Sequence, residues 1–279
     1  MKFSFTNWIK YHPLTAYFSL AFLITWILIS PLVLSALNLV PFKVSEHWHS
    51  LGALGPIGAA LIVTAVIGGK AGLSEFWGRL TKWKVGAGWA FVAIFSPFIM
   101  FLLAVLIVRV SGDATLDFGK LISNGDTTFA WLAGLLLPAI AYGVGEEAGW
   151  RGFALPRLQN GRNALWATFL LSIFWALWHI PMFFYRFEFG LGQVIGFFIG
   201  LISGAIWQTF LYNSTGGSTL MAALWHTTWN IVNVIGLVVS MNAISWMSAM
   251  VMIAAVLVVI VGKPSKISLS GKPILPTDL

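Results

Sequence analysis

Apolar residues in this chain come in long, nearly unbroken runs instead of the alternating or one-in-three-or-four stripes of a water-facing element. A helix needs about 20 consecutive apolar residues to cross a hydrocarbon core. The pattern predicts eight such spans, at 14–38, 51–69, 88–110, 127–150, 163–184, 190–212, 217–238 and 243–262. The fourth is expected to run on as helix to about Arg157 and to stop at the turn Gln159-Asn160-Gly161. The runs are too long, and too poor in apolar/polar alternation, for a barrel. The expected fold class is therefore all-α, a polytopic membrane protein of about eight transmembrane helices. It divides into an N-terminal three-helix membrane region (1–124), a polar-bearing membrane region (125–240), and a last helix with a polar, Pro-containing tail expected to be disordered (241–279).

Composition sharpens this picture. Of 279 residues, 58% are hydrophobic and 9% charged, where a soluble domain carries about a quarter charged residues. Mean hydropathy is +0.87. There is no cysteine, which excludes disulfides, thiolate metal sites and a cysteine nucleophile. The net charge of +7 does not point to nucleic acid, because the basic residues sit as short caps between apolar runs, as topology signals do. With the N-terminus placed in the cytoplasm, 12 of the 16 basic residues fall on that side; Lys43, Arg109, Lys120 and Arg186 fall on the other. The bias predicts an integral protein of the cell membrane with both termini cytoplasmic. The run from Leu14 to Val40 is too long for the core of a secretory signal and reads as a retained first span.

The chemistry lies in what these spans should not contain. Of nine acids, Glu46, Glu75, Asp113, Asp117, Asp126, Glu188 and Asp278 fall in predicted loops or the tail; Glu146 and Glu147 sit inside an apolar helix. A carboxylate at the bilayer centre costs about 2.5–3.5 kcal/mol, so an adjacent pair marks a functional candidate. Glu147 and Arg151 are four apart and share a helix face, where they can pair. Glu146 is about 100° away and stays free to accept a proton. His179 and His226 also lie inside spans, whereas His12, His47 and His49 read as ordinary terminal or loop residues. Asn230 follows His226 by four and shares its face. Pro181 removes a donor just after His179 and is expected to break that helix. Trp150, Trp175, Trp178, Trp225 and Trp229 lie near these positions and read equally well as packing. Gly143-Val144-Gly145 imitates a dinucleotide loop but has no strand before it. Gly196, Gly200 and Gly204 form a small-residue face suited to close helix contact.

The segment Glu146-Glu147-Ala148-Gly149-Trp150-Arg151 resembles the EExxxR motif of the CAAX processing and bacteriocin processing family, His179 resembles the histidine of its FxxxH motif, and His226-Thr227-Thr228-Trp229-Asn230 its HxxxN motif. The resemblance spans about residues 125–240, with one departure: Trp175 stands where the second motif has Phe. It implies an intramembrane endopeptidase acting on a membrane-embedded or lipidated peptide. In that implied scheme Glu146 activates water, His179 orients it, His226 and Asn230 stabilise the oxyanion, and Glu147 and Arg151 support the helix. No cofactor is required by this scheme, but Glu146, His179 and His226 also make a His₂Glu set of the kind that binds zinc, and both forms of hydrolysis stay open. A proton- or cation-coupled transporter and a catalytically silent scaffold are the rival classes; a transporter usually shows polar features repeated in both halves, and this chain has them in one. One geometric demand follows. Glu146 lies 14 residues before Asn160 and His179 19 residues after it, roughly 21 and 29 Å along ideal helices, so the depths must be reconciled if the residues are to share one polar cavity open to the cytoplasmic leaflet.

Overall fold

The computed structural model describes residues 4–113, 115–123, 129–187 and 189–276, with the side chains of 122, 123 and 129–133 outside that description. Lys2, Asp126, Glu188, Asp278 and the first residues of the fourth predicted span therefore lie outside the described residues. Everything regular within them is helical. In chain order the α-helices are α1 (Phe5–Tyr11), α2 (Pro13–Ala36), α3 (Leu54–Leu80), α4 (Ala87–Val110), α5 (Lys120–Ser123), α6 (Phe129–Gly149), α7 (Leu155–Gln159), α8 (Ala164–Trp178), α9 (Leu191–Ser214), α10 (Thr219–Val239) and α11 (Met241–Gly262). Among the described residues seven segments are long and apolar enough to cross a membrane. To these α6 adds a 21-residue helix that carries the acidic pair.

Several boundaries follow from single residues. The span predicted to end at 69 is kinked there, where Gly69 adopts φ 55, ψ −143, but α3 continues beyond the kink to Leu80. After α6 the chain makes a π-helical turn, Trp150–Ala154, then α7, and leaves through Gly161 at φ 71. Helix α8 ends at Trp178, with His179 as its C-cap, and Ile180–Phe184 tightens into a 3-10 turn containing Pro181.

Helix α6 is the axis of the polar half, and its glycines set how closely its neighbours approach. A Cβ at Gly143 would lie 2.8 Å from the Thr227 backbone N and 2.9 Å from the Ala223 carbonyl of α10; one at Gly145 would lie 2.5 Å from the Ala53 carbonyl. The Gly-Val-Gly stretch thus serves helix packing. The largest core cluster gathers Tyr17 and Phe18 of α2, Trp150 and Phe153 of the π turn, and Trp175 and Trp178 of α8 around it.

Two expectations are corrected. The Gly196/Gly200/Gly204 face of α9 makes no close helix contact among the described residues: a Cβ at any of the three would meet nothing within 4 Å, although Gly204 itself is buried. Helix α9 docks through its next face instead, where Phe197 meets His179 and Thr209 meets Thr168. The polar stretch after α11 is also not disordered over its described part. It straps the ends of α7, α8 and α9. Gln159 donates to the Ile274 carbonyl (2.9 Å), Asn213 donates to the Lys266 carbonyl (2.9 Å), and Ile267 is fully buried. The physical reason is at the start of α8, whose first N–H groups have no partner within the helix: Ala164 and Leu165 donate to the carbonyls of Ser265 and Pro264.

Candidate active site

The depth problem raised by the sequence is solved by where helices begin. A Cβ at Gly152 would lie 3.5 Å from the Thr219 hydroxyl, so α10 starts level with the π turn, partway along α6–α7. Seven residues on from Thr219, His226 then reaches the level of Glu147. Helix α8 starts after the bend and brings Trp175 to the level of Glu146.

The two carboxylates face different helices. Glu147, fully buried, accepts from Arg151 Nη1 at 2.9 Å and pairs with His226 Nδ1 at 2.8 Å. The expected i,i+4 pair is present, and the histidine completes it. Arg151, also fully buried, reaches the Ala205 carbonyl of α9 at 3.5 Å and lies over the Trp175 ring at 4.8 Å from its centroid, a cation–π arrangement. Glu146 turns to α8: its Oε2 accepts from the indole N–H of Trp150 at 3.0 Å and from that of Trp175. Glu146 is 3% exposed. Two indole donors satisfy one carboxylate oxygen, as burial of a charge demands, and leave Oε1 outside these two bonds. The π turn places Trp150 so that its ring folds back one turn onto Glu146; π turns of this kind recur at functional sites.

The histidines converge on the same tryptophan. The Trp175 ring lies 5.7 Å from the His226 ring and 6.0 Å from the His179 ring, centroid to centroid. His179 Nδ1 is 2.7 Å from the Trp175 carbonyl. A carbonyl only accepts, so Nδ1 carries the proton and, in the neutral ring, Nε2 presents a lone pair. Glu146, His179, His226 and Arg151 thus surround Trp175, with Glu147 behind Arg151 and His226. Asn230 sits one turn beyond His226 on α10, half-buried, and has no side-chain hydrogen bond among the described residues.

Zinc was the open alternative for Glu146, His179 and His226, and among the described residues no three His, Asp or Glu side chains are grouped so as to hold one ion. Oε2 of Glu146 is engaged by indoles and Nδ1 of His226 by Glu147, which leaves Oε1 of Glu146 and Nε2 of each histidine outside those bonds. Two cavities lie apart from the site. One of about 10 Å³ is lined by Glu75, Arg79, Gly152 and Pro276, and one of about 290 Å³ by Thr115, Lys120 and Ser240.

Two features escape sequence reasoning. Trp150 and Trp175 are hydrogen-bond donors to Glu146, whereas in the sequence an indole in an apolar run looks the same whether it packs or donates. His49, expected to be an ordinary loop residue, is buried at 7% exposure in the 3-10 segment Glu46–Ala53. It stacks on Tyr142 at 4.6 Å, with its Nδ1 2.6 Å from the Tyr185 hydroxyl and 3.2 Å from that of Tyr142.

Residues 128–232 match the family described as Type II CAAX prenyl endopeptidase Rce1-like. The chain is also similar to CAAX prenyl protease 2 of Methanococcus maripaludis, 29% identical over 143 residues that cover 46% of this chain and 52% of that protein. The chain thus aligns with about half the length of this curated relative. The matched stretch holds all three motifs, from Glu146 to Asn230.

Proposed function

We propose that this chain, whose residues 128–232 belong to the family of CAAX-processing endopeptidases, is an intramembrane peptidase that cuts a membrane-associated, prenylated substrate near its C-terminus. The observation that carries this reading is the convergence of Glu146, His179 and His226, from three separate helices, on the single ring of Trp175.

In this reading the nucleophile is a water held between Glu146 Oε1 and His179 Nε2. His179, with its proton fixed on Nδ1 by the Trp175 carbonyl, offers the lone pair that accepts one water hydrogen. Glu146 accepts the other as the water oxygen bonds to the scissile carbonyl carbon. The negative charge then on the carbonyl oxygen needs donors aimed at it. Asn230 supplies an amide N–H. His226 supplies Nε2–H as the imidazolium, with Glu147 on Nδ1 as counter-charge. As the tetrahedral species collapses the C–N bond breaks, and Glu146 returns its proton to the leaving amine. Glu147 and Arg151 hold α6 and His226 in register. In this reading the host bilayer is the cell membrane and both termini, with the soluble part of the cut substrate, lie on its cytoplasmic side, an orientation that the basic-residue bias supports.

The test is cleavage in nanodiscs of a farnesylated CAAX reporter peptide and its unlipidated twin, by wild type, Glu146→Gln and His179→Ala. We expect wild type to cut the lipidated peptide. Glu146→Gln is expected to lose at least about a hundredfold in kcat, the scale of removing a general base, with an unchanged melting profile. Equal cleavage by wild type and Glu146→Gln, or none by a folded wild type, overturns the assignment.

A further inference from the structure

We propose that Trp175 is a positioning residue of the hydrolytic site, whose indole N–H aims the Glu146 carboxylate and whose carbonyl fixes the proton of His179. The proposal rests on the peptidase reading above and adds to it a role for the position at which this chain departs from the second motif, with Trp in place of Phe. One side chain and its own backbone link the two groups that share the water: the N–H bonds Glu146 Oε2, and the carbonyl, 2.7 Å from His179 Nδ1, determines which imidazole nitrogen is bare. The ring meanwhile carries the Arg151 guanidinium on its face at 4.8 Å and borders His226 at 5.7 Å. Trp175 is 6% exposed, so its donor is shielded from bulk solvent. A phenylalanine, the residue of the FxxxH pattern at this position, has the ring without the donor. Of its two indole donors Glu146 would then keep the Trp150 N–H at 3.0 Å, which comes from the π turn that continues α6 and cannot tie α6 to α8. In this chain the base is held from the helix that also carries His179, so the distance between the two water-binding groups is set by one residue.

Two variants isolate the donor. Trp175→Phe removes the N–H and part of the ring; β-(3-benzothienyl)alanine at position 175 replaces N–H by sulfur and keeps the indole shape. Each is assayed in nanodiscs on the farnesylated CAAX reporter. The Glu146 carboxylate band is isolated by infrared difference against Glu146→Gln. The expected result is a fall in kcat of about tenfold or more, the scale of losing one hydrogen bond to a buried charge. KM should stay nearly unchanged, any fall in melting should stay within the loss of one hydrogen bond, and the carboxylate band should shift. If Trp175→Phe melts early, the benzothienyl variant alone decides. Wild-type kcat, or an unmoved carboxylate band, in the benzothienyl variant overturns the positioning role while Glu146-dependent cleavage stands. Cleavage that survives Glu146→Gln overturns the peptidase reading, and the kinetic role of Trp175 with it.

Discussion

Two buried histidine clusters sit one turn apart along α6, and they are held by different chemistry. At Glu146–Glu147 the partners are charged: two carboxylates, the Arg151 guanidinium and indole donors around His226 and His179. At Tyr142 they are neutral: Tyr142 donates to the His49 carbonyl at 2.6 Å, and the Tyr185 hydroxyl meets His49 Nδ1 at 2.6 Å. Both clusters obey the rule that a buried polar group finds a partner. They differ in what happens when one partner goes. A neutral hydrogen bond lost from the Tyr142 cluster (the upper one) leaves a dipole unpaired; a charge lost from the Glu146–Glu147 cluster (the lower one) leaves an ion in a medium that solvates it poorly. Burial of a histidine is therefore weak evidence of chemistry. Burial of a histidine against a carboxylate that is itself satisfied elsewhere is stronger evidence, because the charge must be retained at a standing cost.

The largest effect that separates the clusters is expected from Arg151→Met. It removes the cation from between Glu147, Ala205 and the Trp175 ring and leaves a fully buried carboxylate with His226 as its remaining polar partner among the described residues. Breaking a buried pair from one side costs about 3–5 kcal/mol. Unfolding in mixed micelles should show a loss of that order, and replacing Arg151 and Glu147 together by Met and Leu should recover most of it. A loss near 1 kcal/mol would erase the distinction between the two clusters.

How much of this was legible in the sequence depends on what each residue costs the bilayer. Glu146, Glu147, His179 and His226 stand out because charge and imidazole are expensive in hydrocarbon, and the structure does bring them to one place. Pro181 and Gly161 announce the ends of their helices for backbone reasons that need no tertiary information. The tryptophans that hold Glu146 were not legible, because an indole is cheap in an apolar run whether or not its N–H is used. Nor was the His49 cluster: its partners lie 93 and 136 residues away, and no spacing rule connects them. The strap after α11 reads as polar tail because its bonds run through backbone carbonyls, which every sequence has; of its four described aliphatic residues Ile267 and Ile274 pack inward while Leu269 and Leu275 stay exposed, and the sequence does not tell them apart. The Gly196/Gly200/Gly204 face misled for the opposite reason. Small residues permit close approach, but α9 finds its contacts through Phe197, Ala205 and Thr209.

Tyr142→Phe is the next test. It removes the donor to the His49 carbonyl inside the α6 packing and should cost about 1–3 kcal/mol, the price of an unsatisfied buried acceptor. Tyr142 is outside the proposed chemistry, so cleavage per folded molecule should match wild type. A fall in kcat without a fall in stability would make the upper cluster part of the site and break the comparison.

Tyr185→Phe should have the smallest effect, and it carries the most detail. Tyr142 has one hydroxyl proton, and the 2.6 Å distance to the His49 carbonyl, against 3.2 Å to Nδ1, assigns that proton to the carbonyl. Nδ1 therefore depends on Tyr185. If Nδ1 is bare, Tyr185 donates to it and loss of that hydroxyl leaves an acceptor unpaired; if Nδ1 carries the proton, Tyr142 can accept it in place of Tyr185 and the loss is cushioned. Tyr185 is half-buried, so the single variant should cost about 0.5–1.5 kcal/mol in either case. The double variant with Tyr142→Phe separates the two. A bare Nδ1 gives nearly additive losses, because the two hydroxyls then serve different atoms. A protonated Nδ1 gives a double loss larger than the sum by about 0.5 kcal/mol or more, because the substitute acceptor is gone as well. Unfolding of the four proteins in the same micelles reads that difference directly, and with it the tautomer of a histidine that no charge pins in place.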